Sequence, residues 1–127
     1  MSKKRLFISF AVEDRTSRDF FVGQRDNDAS PFDFVDMSVK EAWKTDWREQ
    51  CNSKIKGCDG LIVLLSSMSA QASGVEWEIK CAKEAGIPIL GIVIRKDDWP
   101  FSLPSEMQGQ TVIYWTWAEI HAFINGL

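Results

Sequence analysis

Glu76 and Glu78 flank Trp77 in the stretch SGVEWEIKCAKEAG, residues 73–86, whose apolar spacing predicts a helix. A carboxylate at such a position has two uses. It can meet the positive end of the helix macrodipole, or it can turn inward as a perturbed acid facing a ligand. A wheel drawn at about 100° per residue separates the two glutamates. Val75, Ile79 and Ala82 form a core-facing stripe, and Glu78 falls at its edge, about 60° from the centre. Glu76 falls on the polar side, one turn before Lys80, in the favourable i, i+4 orientation. Glu84 lies on the far side. Glu76 therefore reads as a surface residue and Glu78 as the one forced inward. Two readings of Glu78 stay open on pattern alone: a structural carboxylate neutralised by a hydrogen bond, or a reactive one. Trp77 points away from the stripe, under a neighbouring loop or into an interface.

Other chemistry finds little support. His121 is the only histidine and lies in the terminal helical segment, which removes His-dependent triads. Ser66, Ser67 and Ser69 read as turn and capping residues, although Ser66 could donate to a phosphate or ribose. Cys51, Cys58 and Cys81 are odd in number and form no C-x-x-C pair, so neither a disulfide framework nor a zinc site is expected, and no metal. With neither G-x-G-x-x-G nor a P-loop, classical dinucleotide reduction and NTP hydrolysis have no basis.

The elements that must position Glu78 are legible from hydrophobic periodicity. Strands are expected over Arg5 to Phe10, in FDFVD (32–36), in LIVLL (61–65), in IPILGIVI (87–94) and in TVIYW (111–115). Between them come a short helix capped near Glu13-Asp14, a turn-rich loop over Arg25 to Pro31, and a helix from about Val39 to Ile55. Ser38 and Glu41 form a capping box for that helix, and Trp43, Trp47 and Cys51 turn one face inward. Gly86 closes the Glu78 helix. A polar loop runs from Arg95 to Gln110, and TWAEIHAFIN (116–125) is the last helix.

Strands alternating with helices, two of them apolar throughout, predict an α/β fold with a parallel sheet covered on both sides. The expectation is a flavodoxin-like, doubly wound five-stranded sheet of order 2-1-3-4-5, whose ligand crevice opens between the first and third strands. Ser9, Phe10, Ala11, Ser66, Ser67 and the start of the Glu78 helix would line it. Phe10 offers a ring to a base, or belongs to the core. Asp36 and Ser38, at the exit of the second strand, are ligand contacts of second rank or caps.

Bulk properties limit the partners. The 127 residues read as one domain, 1–127, with 45% hydrophobic and 26% charged residues. A net charge of −3 and a pI of 5.1 argue against a nucleic-acid surface. No apolar run approaches the roughly 20 residues of a membrane span. The run 6–12 after SKKR reads as a strand and not as a signal peptide. A cytoplasmic protein is the expectation.

Taken together, several boxes resemble the TIR-like domains, in particular bacterial antiphage TIR proteins of the Thoeris type. These are Phe7-Ile8-Ser9-Phe10 with Glu13-Asp14, Phe34-Val35-Asp36-Met37-Ser38, and the run from Cys58 to Ser66 (CDGLIVLLS). Trp77-Glu78-Ile79 with Ala82, and then Ile87-Pro88-Ile89-Leu90-Gly91-Ile92, complete the set. The similarity spans about Arg5 to Ile94. The resemblance implies that Glu78 is catalytic in cleaving NAD+, which would be a substrate and not a bound cofactor. It also implies nicotinamide release, self-association of the active form, and a cyclic or conjugated ADP-ribose product. Such a diffusible nucleotide would reach a downstream effector after a phage-derived trigger. The chemistry suits a lone carboxylate: nicotinamide leaves as a neutral base, and the site has only to hold the ribose and stabilise an oxocarbenium-like transition state. The chain departs from many relatives at Gly74, where they carry tryptophan. Non-catalytic TIR assembly modules, and more remotely nucleoside deoxyribosyltransferase-like enzymes, are the alternatives.

Overall fold

Strands send successive side chains to opposite faces, so LFISF divides into Leu6, Ile8 and Phe10 on one side and Phe7 and Ser9 on the other. The computed structural model of the protein describes residues 4–11, 14–23, 34–36 and 47–127. In it β1 (Lys4–Ser9) is followed by α1 (Arg15–Gly23), β2 (Phe34–Asp36), α2 (Trp47–Lys56) and β3 (Gly60–Leu65). Then come α3 (Ser73–Ala85), β4 (Ile89–Val93), β5 (Thr111–Tyr114) and α4 (Trp117–Asn125). All strand pairs are parallel and the order is β2-β1-β3-β4-β5, as expected. In the register of β1 and β3, Leu6 lies opposite Gly60 and Ser9 opposite Val63.

Two apolar layers flank the sheet. Phe7, Leu61, Val63, Leu65 and Ile89 pack with Ile55 of α2 and with Val75, Ile79 and Ala82 of α3. On the other face, Leu6, Ile8, Phe10, Ile62, Leu64, Leu90 and Ile92 pack with Phe21 of α1 and with Ile120 and Ile124 of α4. β3 and β4 are buried along their whole length, which explains their unbroken apolar sequences. Phe21, Trp115 and Trp117 form an aromatic cluster at one edge, with Phe21 and Trp117 stacked at 5.5 Å.

Gly86 ends α3 in the left-handed region (φ 72°), and Ile87 N–H reaches back to Ala82 O at 3.1 Å. The loop between β4 and β5 is anchored at several points. Ser67 N–H bonds Asp98 Oδ2 at 3.1 Å, Met107 is buried in the core, and Lys83 pairs with Glu106 at 2.9 Å.

Trp77 is half-buried and packs against the α2/α3 layer, on a helix covered on two flanks, by α2 and by the turn Ser105–Met107. One expectation needs correction. Glu76 pairs not with Lys80 but with the Ser105 hydroxyl, which donates to its carboxylate. The Arg25 to Pro31 loop, Ser38 and residues 39–46 with Trp43 lie outside the described residues. So do the side chains of Asp36, Trp47 and Cys51.

Candidate active site at the sheet switch point

β1 and β3 are neighbours in the sheet, yet the chain leaves them toward opposite faces, through α1 after β1 and α3 after β3. That reversal opens the place where α/β sheets bind ligands. Ser9, two residues beyond Phe7, lies on the Phe7 face of β1, and α3 packs on that face. Val75 and Ile79 anchor the helix there, and the residue at the edge of their stripe is Glu78. Ser9 Oγ donates to Glu78 Oε1 at 2.7 Å, and both residues are 0% exposed.

A second pair crosses the first. Ser66, just after β3, donates from Oγ to Oδ2 of Asp14, just after β1, at 2.6 Å, and both are buried. Each of the two strands thus ends in a serine bonded to a carboxylate that follows the other strand. Around Ser66 the turn is closed by further bonds. Met68 N–H donates to Ser66 Oγ at 3.1 Å, Ser66 N–H donates to Ser69 Oγ at 2.8 Å, and Ser69 Oγ donates to Leu64 O at 3.3 Å. Buried polar groups need such partners, because each unpaired one costs about 1–3 kcal/mol.

Local pattern marks Asp14 only as a helix cap. Its signal is topological: in a 2-1-3-4-5 sheet, residues following β1 and β3 come close together. Phe10 is buried in the α1/α4 layer with the Arg18 guanidinium 5.8 Å from its ring centre, and Ala11 is buried beside it in sequence. The structure therefore brings together Ser9, Glu78, Ser66 and Asp14 as bonded pairs. Phe10 and Ala11 lie in the core, and Asp36 and Ser38 cannot be placed at the site. His121 lies on α4, bonded to Asn125 at 2.8 Å.

Cys81 is one turn beyond Glu78. Burial pushes its thiol above the ordinary range, and the carboxylates of Glu84 and Glu78 push it further. The thiolate is the nucleophile, so a raised pKa and burial together predict an inert thiol. Cys58 is buried too, with Sγ on Lys54 O at 3.1 Å. In a Cys51→Ser background, a disulfide reagent at pH 8 should label neither cysteine promptly in the folded protein and both in denaturant. Prompt labelling of the folded protein would contradict this burial.

A five-stranded parallel sheet of this order with helices on both faces is a flavodoxin-like α/β fold. The chain belongs to the family described as Thoeris protein ThsB, TIR-like domain, whose family model matches residues 7–98. No match was found among curated proteins. Among solved structures, the chain is similar to the Clostridium botulinum CMP N-glycosidase BcmB. There the TM-score is 0.56 at 16% identity, over 96% of this chain and 98% of that one. It is also similar to a prokaryotic SEFIR domain, with a TM-score of 0.57 at 14% identity, over 98% of this chain and 95% of that one. At these identities the likeness is one of fold. Among the described residues, no helix is long and apolar enough to cross a membrane.

Proposed function

We propose that the protein cleaves the N-glycosidic bond of NAD+, releasing nicotinamide, with Glu78 as the catalytic residue. The observation that carries the reading is a carboxylate at 0% exposure at the switch point, in a family of TIR-like domains. A buried carboxylate is costly unless partnered, and the Ser9 hydroxyl is a partner of this one. In the reaction the C1′–N bond breaks with its electron pair going to nicotinamide. C1′ is left with oxocarbenium character, which a nearby negative charge stabilises. A hydroxyl then attacks C1′ and loses its proton. Water as that nucleophile gives linear ADP-ribose; a hydroxyl or amine of the substrate or a second molecule gives a cyclic or conjugated product. In a site that excludes water the second course is favoured, and the product then serves as a diffusible signal to a separate effector during infection. Full burial of Glu78 describes a resting state. Self-association is the activating event in this reading, so specific activity rises with protein concentration.

A second substrate is suggested by the similarity to BcmB, a CMP N-glycosidase. Both reactions break a ribosyl C1′–N bond. The test is a panel of NAD+, CMP and a deoxynucleoside with an acceptor base, incubated with concentrated protein and followed by chromatography and mass. Nicotinamide from NAD+, with CMP intact and no base exchange, is the expected result. Cytosine release alone would move the function to nucleotide monophosphates, and base exchange alone to deoxyribosyl transfer. No turnover of any of the three would leave an assembly module.

A further inference from the structure

We propose that Ser9 is a positioning residue for Glu78 and not a contact for substrate, an inference that rests on the N-glycosidase reading above. A serine hydroxyl has a single proton to donate, and that of Ser9 goes to Glu78 Oε1 at 2.7 Å. Both residues are 0% exposed, so the bond is shielded from competing water.

The geometry suits positioning. Ser9 has one side-chain torsion between its hydroxyl and the backbone, and that backbone lies in β1, which is flanked by β2 and β3. Ser9 itself lies opposite Val63 of the central strand β3, so its backbone is held by the sheet. Glu78 has three torsions and sits on a helix held to the sheet by apolar contacts. The hydrogen bond transfers the rigidity of the strand to the carboxylate. Catalytic groups need placement within a fraction of an ångström, supplied by neighbours that are themselves locked. The crossed Ser66–Asp14 pair fixes the exits of the same two strands relative to each other. A pair of this kind adds little to stability, since apolar replacement of both partners is often nearly neutral.

The experiment compares Ser9→Ala, Ser9→Cys and Ser9→Thr with the wild-type protein. Ser9→Ala and Ser9→Cys should lower kcat for nicotinamide release by roughly 10- to 100-fold while KM stays within about twofold. Ser9→Thr, which keeps the hydroxyl, should recover most of kcat. Cysteine is nearly isosteric, so Ser9→Cys keeps the question open to test if Ser9→Ala does not fold. A second readout is independent of turnover. In protein labelled with 13C-carboxyl glutamate, the Glu78 resonance is the one missing from Glu78→Gln, and it should move in Ser9→Ala and Ser9→Cys but return in Ser9→Thr. A rise in KM with kcat unchanged would make Ser9 a substrate contact and overturn the proposal. An unmoved Glu78 resonance overturns it as well. A wild-type protein that leaves NAD+ intact defeats the functional reading alone, and the resonance still decides whether Ser9 sets Glu78.

Discussion

Glu78→Gln is expected to lose nicotinamide release by roughly 10²- to 10³-fold or more, while the protein stays folded. The amide keeps an oxygen acceptor for the Ser9 hydroxyl now 2.7 Å from Oε1, and the side chain keeps its shape. What disappears is the capacity of the group to carry a negative charge. The near-isosteric amide keeps the packing, so the melting temperature should remain within about 3 °C of wild type. Loss of activity with an intact fold separates a catalytic carboxylate from a structural one. Glu76→Gln is the matched control two residues away. Glu76 is half-buried on the outer side of α3 and bonded to Ser105, an interaction that glutamine can also accept. Its turnover should stay within about a factor of two, since partly exposed polar pairs of this kind contribute little. Equal loss in both variants, with both folded, would detach the chemistry from Glu78.

The second large effect is on stability. Ile79→Ala should lower the free energy of unfolding by about 2–5 kcal/mol. Ile79 is 0% exposed and packs in the layer of Phe7, Ile55, Val63 and Leu65, between α3 and the sheet. Truncation removes three carbons and leaves a cavity in a layer built from strand side chains that cannot easily collapse into it. For a domain stable by about 5–15 kcal/mol this is a large fraction. The melting temperature should fall by about 10–20 °C. Lys80→Ala, on the exposed side of the next position, should stay within about 0.5 kcal/mol. Urea unfolding of the two variants gives the comparison. A loss below about 1 kcal/mol for Ile79→Ala would mean that α3 is not anchored to the sheet through this stripe. Since Ile79 adjoins Glu78, the same cavity should also reduce turnover.

Much of this architecture is legible in the sequence, and the reason is periodicity. LIVLL and the apolar run before Arg95 are buried on both faces, so they show no alternation, and a strand covered on both faces in a parallel sheet has that pattern. Once the sheet order is set, the crevice between β1 and β3 follows from topology. The inward placement of Glu78 is legible because a charged residue at the edge of an apolar helical stripe is a local conflict.

What escaped the sequence depended on partners distant along the chain. The Asp14 carboxylate looked like a cap because the reading was local, whereas its hydrogen-bond partner, Ser66, is 52 residues away. The cover over Trp77 stays open on a wheel, which shows one covered side, and the turn at Ser105–Met107 supplies another. Ser9 ends a strand at the crevice, and its bond to Glu78 spans 69 positions of sequence. The direction of its one hydroxyl proton is a tertiary fact that no spacing encodes.

The most direct test of the central claim is a time course of NAD+ consumption by purified wild-type protein over a range of concentrations, with Glu78→Gln run in parallel. Nicotinamide should appear in step with NAD+ loss in the wild type, with specific activity rising as concentration rises, and should be absent from the variant. NAD+ that stays intact with folded, self-associated wild-type protein, or nicotinamide released equally by Glu78→Gln, would contradict the assignment of Glu78 as the residue that breaks the glycosidic bond.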